Sequence, residues 1–392
     1  MKNQRILLVI FVVYFSSYLL TKSHICDVTN SKEYFVTLLR GSGFCVLLFP
    51  FFMRNSLNLA MKRHSILLKL NFVIIMATLV MFTLTSKLSF GNLYYAVSAP
   101  LVLSNIIIMS NILSIKFIHN IRKIFFLIFI CITVINLIIG GDLTINYEYA
   151  ERVRYVFGFV KPSYVSEIII ILLSLIIVEY LFYPLKKNKW LYIQLLILIP
   201  MLLSTGSKSS FLIIFLAIIS NRYFKLKTPK FIFANIAIVL FLYYLLLTDF
   251  RFLFSDFDSG RYYIWSTTVI YNLKSSKDWL FGVGYGNAIN FSEISRIEKD
   301  DVGNFFHIDS YYVELLIQQG ILGIIFYSIA IYNFFIIYRS HITSYTLIIA
   351  LLCYGFIESV ILNMASPFGY VPWIAIAVMY RCHREKLMYK NK

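Results

Sequence analysis

Charge is what this chain has little of. Asp, Glu, Lys and Arg make up 14% of its 392 residues while hydrophobic residues make up 59%, and the mean hydropathy is +0.77. Soluble domains carry about 25% charged residues, so the composition excludes one and demands a bilayer as solvent. Acids are the scarcer sign, 19 against 36 Lys and Arg, for a formal charge of +17. Those basic residues are scattered through short connections and build no single patch, which argues against nucleic acid as a partner. Cysteines number five. Three of them, Cys45, Cys131 and Cys353, fall in apolar runs, and only Cys26 is expected outside, so neither a disulfide framework nor a metal cluster is implied. A small-residue cleavage site is also lacking. Lys2 and Arg5 precede an apolar run as in a secretory signal, but no such site follows Leu20, and an uncleaved first helix is expected.

What the chain has in quantity is long apolar runs. Helices of about 17 to 25 apolar residues span a bilayer. Twelve candidates are present: 6–20, 34–53, 65–85, 93–113, 124–139, 165–183, 190–203, 210–220, 231–248, 311–338, 345–362 and 370–380. The expected fold is an all-α polytopic membrane protein, a single membrane domain over 1–392 with about 12 transmembrane helices. Because 190–203, 210–220 and 370–380 are short, ten or eleven spans also fit. Alternate connections and both termini hold 21 basic residues, the opposite side 13, and the richer side carries one acid, Glu385. The positive-inside rule therefore places both termini in the cytoplasm. Charges within runs require an explanation. Lys69 is expected to snorkel to the inner surface, and Glu179 lies near an inner end. Arg40 and Glu358 lie several residues inside the outer boundary, where they would pair with each other or face a substrate cavity; outward snorkelling is the plain alternative for Arg40.

Three features lie on the outer side. The first loop, 140–164, holds Glu148, Glu151, Arg152 and Arg154. A short turn, Ser204-Thr205-Gly206-Ser207-Lys208-Ser209, is the second. The third, the large extracytoplasmic loop 249–306, holds 6 basic and 8 acidic residues and is too long for structureless filler. Within it a helix is expected from Ser259 as N-cap, with Ile264, Trp265 and Thr268 on one side. Gly282-Val283-Gly284-Tyr285-Gly286-Asn287 follows. It resembles a dinucleotide fingerprint only superficially, since no strand precedes it; a flexible turn is the simplest reading and close backbone approach to phosphate the sharper one. Beyond the loop, His307, Tyr311, Glu314 and Gln318 are spaced by four, three and four, which puts them on one face of a helix beginning near residue 309. No internal repeat is visible.

These motifs resemble the superfamily of O-antigen polymerases and ligases, including the Wzy-type polymerases of surface polysaccharide pathways. Arg154 followed by Phe157-Gly158-Phe159 and Pro162-Ser163 is similar to the family's arginine, Gly-Phe and Pro-Asn pattern ahead of a membrane helix. Ser204 to Ser209 resembles its Thr-Gly-Ser-Arg turn. Ser259-Gly260-Arg261, Trp265 and Leu280 to Gly286 are similar to its outer-loop pattern, and His307 through Gly320 and Gly323 to its closing motif. The resemblance covers roughly residues 150–330. Lys208 replaces the usual arginine and Ser163 the usual asparagine, which removes bidentate contacts at both places. A single His307 with Asp309, where ligases carry His-x-His-Asn, favours the polymerase branch.

The resemblance implies a GT-C-like fold and an inverting glycosyltransferase. Its donor would be an oligosaccharide on a polyprenyl diphosphate and its acceptor a sugar hydroxyl. Charge builds on the diphosphate as the anomeric bond breaks, so fixed cations are required. Arg152, Arg154, Lys208 and Arg261 fall on the outer side, although basic residues flanking spans also anchor to lipid phosphates. His307 is the first choice to deprotonate the acceptor, with Arg261 and Glu314 as further catalytic residues. Asp309, Tyr311, Gln318, Arg40 and Glu358 are candidates for substrate binding, and Asp309 reads equally well as a helix N-cap. A diphosphate is an adequate leaving group, so no cofactor or metal is expected. Implied partners are membrane lipid, a chain-length regulator and a flippase. A ligase shares donor and site and differs in its acceptor. A flippase also has about twelve helices, but two repeated halves and short outer loops; the loop at 249–306 and the missing repeat count against it.

Overall fold

A computed structural model of the chain describes residues 2–147, 152–182, 189–206, 261–289, 310–338, 347–348, 351–352, 354–355, 362 and 366–390. They form an almost wholly helical, multi-pass membrane protein. Seven helices among the described residues are long and apolar enough to cross a bilayer. They match expected runs 6–20, 34–53, 65–85, 93–113, 124–139, 165–183 and 311–338; the shorter 190–203 is also helical. Runs 210–220 and 231–248 lie outside the described residues, as does most of 345–362. The chain divides into two compact units, residues 1–68, 101–214 and 362–392, and residues 69–100 and 215–361.

The first unit is built on α1 (Lys2–Thr21), α2 (His24–Thr29), α3 (Lys32–Leu48), α6 (Ile115–Ile138), α7 (Pro162–Phe182), α8 (Lys189–Thr205) and α12 (Val371–Lys390). Parts of α4 (Arg54–Thr85) and α5 (Phe90–Met109) belong to it as well. The Ser114 hydroxyl accepts from the Phe117 N–H and caps α6, satisfying a main-chain donor that has no partner within the helix. Along α6, Phe117, Ile121, Phe125, Phe129 and Ile132 are buried, while Leu127, Val134 and Ile138 remain exposed. In a membrane that exposed apolar face meets lipid, and every main-chain group is satisfied within the helix. Phe15 of α1 stacks on Phe125 at 3.9 Å, and Phe11 meets Phe117 edge-on at 6.0 Å. Helix α7 starts at Pro162, whose missing N–H is harmless in the first turn. Apart from Glu167 and Glu179 it is almost wholly apolar, and it is nearly wholly buried between α6, α8 and α12, as an inner helix should be.

The loop between α6 and α7 is folded. Thr144–Tyr147 (β1) and Arg152–Tyr155 (β2) form an antiparallel hairpin with Ile145 opposite Arg154. This is an addition to the all-α expectation; the alternation of Arg152-Val153-Arg154-Tyr155 was its sequence signal. From Val156 to Val160 the chain is stitched to neighbouring segments: the Gly158 N–H donates to Asp142, its carbonyl accepts from His24, and the Val160 N–H donates to Lys22. Gly158 has φ of +78°, and a Cβ there would fall 2.4 Å from the Cβ of Asn136. Both conditions require glycine.

The second unit contains the later part of α4, the early part of α5, α9 (Arg261–Asn272), α10 (Ser276–Phe281) and α11 (Tyr311–Tyr338). Helix α9 appears where a helix was expected inside the large loop; of the three residues read as sharing a side, Ile264 and Thr268 are buried and Trp265 is partly exposed. Its expected N-cap Ser259 lies outside the described residues. Ser275 and Asp278 form a reciprocal capping box on α10, and the Ser275 hydroxyl holds the Asp278 carboxyl below its usual range. The expected continuous span 311–338 is broken: Gly320 has φ 63° and ψ −164°. Because the break frees two carbonyls, the glycine run fills the gap. The Val283 N–H donates to Ile317 at 2.9 Å and the Gly284 N–H to Gln318 at 3.1 Å. Gly282 and Gly320 pack main chain to main chain, a Cβ on Gly320 falling 2.5 Å from the Gly282 nitrogen.

Candidate active site

Chemistry-bearing residues gather in each unit. In the second, the half-helix from Tyr311 to Gln319 carries three of the four expected residues in one short segment. Glu314 is half-buried, and its Oε1 accepts from Gln318 Nε2 at 3.0 Å. The Tyr311 N–H donates to the Gly355 carbonyl at 2.9 Å, and its ring lies 5.1 Å from that of Tyr327. No cation pairs with Glu314 among the described residues. The carboxylate thus has an amide and aromatic neighbours around it, and it keeps its capacity to accept a proton or a hydroxyl. Arg261 opens α9, which packs on α11.

The glycine run does not behave as the flexible turn read from the sequence. Tyr285 is 7% exposed and packs with Phe82 and Ala96. Its N–H donates to Ser86 Oγ at 2.8 Å, and its carbonyl accepts from the Lys87 N–H at 3.0 Å. Asn287 Nδ2 reaches the Thr85 carbonyl at 2.7 Å. The loop closes the break in α11 and locks the half-helix bearing Glu314 to the ends of α4 and α5.

In the first unit, Arg154 lies half-exposed on β2 and its stem covers Gly206, within 3.7 Å of where a Cβ would stand. This brings Arg154 to the turn that the sequence assigned to substrate. Lys208 of that turn lies outside the described residues, and Arg152 opens β2. Close to the start of α7 the Lys22 ammonium sits 4.1 Å over the Tyr164 ring. Burial pulls its pKa below the usual lysine value, and Glu167 opposes that shift. Glu167 is 2% exposed and accepts a hydrogen bond from the Tyr18 hydroxyl.

His307, Asp309 and Glu358 lie outside the described residues, and Arg40 is exposed on α3. Glu179, read from the sequence as close to a helix end, stands three residues before the end of α7 and is fully buried between α6 and α8. Arg122 Nε donates to its Oε2 at 2.5 Å and Nη2 to its Oε1 at 3.1 Å. His119 Nδ1 is 2.7 Å from Oε1, and Arg122 Nη1 donates to Gln194. Arg122 lies just outside the run 124–139 read from the sequence. The available signal was a pair of opposite charges near the ends of consecutive spans. Tyr18, Lys22, Glu167, Tyr285 and Gln319 were also missed; of these, Glu167 alone carried a warning, as an acid inside an apolar run.

Among the described residues no three His, Cys, Asp or Glu are grouped to hold a metal ion. No curated protein matches the chain. Its segment 163–328 does match the sequence profile of the O-antigen ligase family. That segment begins at α7 and includes Glu167, Gly206, Arg261, Tyr285, Glu314 and Gln318, while Arg152 and Arg154 precede it. This match, over less than half of the chain, supports an O-antigen ligase and polymerase-like superfamily.

Proposed function

We propose that this chain is a surface polysaccharide polymerase of the bacterial cytoplasmic membrane, with both termini cytoplasmic. It joins oligosaccharide repeat units, carried on polyprenyl (undecaprenyl) diphosphate, into O-antigen or capsule at the outer face. The observation that carries the reading is the half-helix Tyr311–Gln319, which holds an acid with no described cationic partner inside the segment matched to the family.

The acceptor sugar hydroxyl attacks the anomeric carbon of the donor. The bond from that carbon to the phosphate oxygen breaks, its electron pair leaves with the polyprenyl diphosphate, and the hydroxyl proton passes to His307 or Glu314. A single displacement inverts the anomeric configuration. Arg261 serves as the clamp on the departing diphosphate, because its planar fork pairs two phosphate oxygens. Tyr311, Gln318 and Asp309 contact the acceptor. Arg152, Arg154 and Lys208 form the basic group of the first unit and bind substrate phosphate, with Arg40 and Glu358 as outlying contacts. A chain-length regulator and a flippase act alongside.

The deciding experiment supplies purified protein with lipid-linked repeat units alone and measures product length. Elongation on the carrier is expected. Transfer of glycan only when lipid A core or protein acceptor is added would replace the polymerase reading with a ligase. The orientation is tested separately: a cysteine at Ser275 should react with an impermeant thiol reagent from outside, and one at Asn188 should not. Labelling of position 188 alone would invert the topology.

A further inference from the structure

Lys22 follows the last residue of α1, and its ammonium has an aromatic ring beneath it. Nζ stands 4.1 Å from the centroid of the Tyr164 ring and 6.0 Å from that of Tyr18. The side chain is half-buried, so part of the charge is taken out of water. An ammonium carries three donors. Among the described residues no oxygen accepts from this one, and no carboxylate lies within ion-pair distance of it. A ring face attracts and orients a cation but does not neutralise it.

The main chain builds this corner. The Lys22 carbonyl accepts from the Val160 N–H at 3.0 Å, Ser23 pairs with Phe159, and the Tyr164 N–H donates to the Lys161 carbonyl at 3.2 Å. The segment that leaves β2 therefore wraps the end of α1 and brings the Tyr164 ring under the ammonium, with Lys161 exposed in the same turn. Glu167 stands one turn further along α7, and its carboxylate accepts from the Tyr18 hydroxyl. That acid is engaged by a phenol and is not ion-paired with Lys22. The depth is also defined: the membrane-crossing stretch Gln4–Thr21 ends one residue before Lys22, which is the level of the polar headgroups.

We infer that Lys22 and Tyr164 form a site for a lipid-borne phosphate in the first unit: the ring fixes the ammonium at headgroup depth, and the ammonium donates to the phosphate oxygens. Lysine suits this as a point charge whose donors rotate to meet whichever oxygens arrive. Two lipids carry such a group at that depth, the polyprenyl diphosphate donor and an anionic phospholipid. Assigning the phosphate to the donor rests on the transferase reading above. On that reading Lys22 acts before the segment matched to the family begins, and Tyr164 within it.

The test measures Kd for geranyl diphosphate on the purified full chain in detergent, and counts by native mass spectrometry the phosphatidylglycerol retained through purification. Lys22→Met should raise the Kd by about tenfold, the loss of one charge-assisted contact. Lys22→Arg keeps the charge over the ring and should stay within about threefold of the parent. Tyr164→Leu, which frees the ammonium from its position, should raise the Kd by about threefold, and it carries the test if Lys22→Met does not accumulate. An unchanged Kd with less retained phosphatidylglycerol in Lys22→Met upholds the site and gives it to the phospholipid. The assignment is overturned if neither ligand responds to Lys22→Met or Tyr164→Leu. It is equally overturned if Lys22→Met only lowers abundance and Glu167→Gln restores it, since Lys22 would then serve to balance a buried acid. A parent chain that binds geranyl diphosphate through Lys22 yet elongates no lipid-linked repeat unit retires the transferase reading and leaves the phosphate site standing.

Discussion

Glu179 and Glu314 are both acids on membrane helices, and their surroundings differ in kind. Glu179 is fully buried with a guanidinium on both oxygens, an imidazole beside it and a glutamine closing the far side of the arginine. Glu314 is half-buried, with an amide on one oxygen and tyrosines nearby. A carboxylate matched by a full opposite charge has no further chemistry to do; it ties α6, α7 and α8 together. One supported by neutral donors alone keeps a charge that a substrate can use. Where the partner is a cation the acid is architecture, and where the partners are neutral it is a candidate for catalysis.

The comparison is broken most sharply by exchanging each acid for its amide. Glu314→Gln should lower transfer by 10² to 10⁴, roughly the value of a lost general base, with the protein present at normal abundance in the membrane. Glu179→Gln should do the reverse, with little protein accumulating and normal turnover per surviving molecule. Retained transfer in Glu314→Gln would end the catalytic reading of that residue.

Next in size is the ion pair itself. Arg122→Met should destabilise the fold by about 3 to 5 kcal/mol, because Glu179 is left buried and uncompensated, and Arg122→Met with Glu179→Leu should recover most of that loss. Thermal unfolding in detergent measures both. A double variant as unstable as the single would show that the network does more than neutralise charge.

Arg261→Ala should nearly abolish product, and Arg261→Lys should recover part of it, since the point charge survives and the fork does not. Equal activity in the two variants would remove the bidentate clamp. The smallest effect is expected at the capping box of α10, where Ser275→Ala should cost about 1 kcal/mol of local stability. Asp278 has its folded pKa depressed by Ser275. Its contribution is therefore present above the ordinary aspartate pKa and lost as pH falls through the lower folded value. Hydrogen exchange over residues 275–282 at neutral and strongly acid pH would follow the loss.

The sequence was most legible where lipid imposes a rule on every residue. Runs such as 6–20 and 124–139 matched helices because a main chain in hydrocarbon has few ways to satisfy its polar groups. The alignment of Tyr311, Glu314 and Gln318 was legible for the same reason, since helical spacing fixes their face. Partners across helices were not legible. Nothing local to Glu179 announces Arg122, 57 positions away. The break at Gly320 escaped notice because its compensation comes from residues 283 and 284. The short hairpin was hidden by the length of the loop around it, and Tyr285 by a glycine pattern that reads as flexible until its contacts are known.

The break in α11 also sets an order of assembly during synthesis. The ends of α4 and α5 leave the ribosome first, the glycine run follows, and Ile317 to Gly320 come last. Each free carbonyl in the hydrocarbon costs several kcal/mol, so the last segment can settle only where the earlier one already waits with its amides exposed. A chain shortened by residues 282–287 would deliver the same apolar helix to the membrane with two bare carbonyls in its first third. The quality-control machinery that removes unsatisfied membrane segments would then meet α11 before any substrate did.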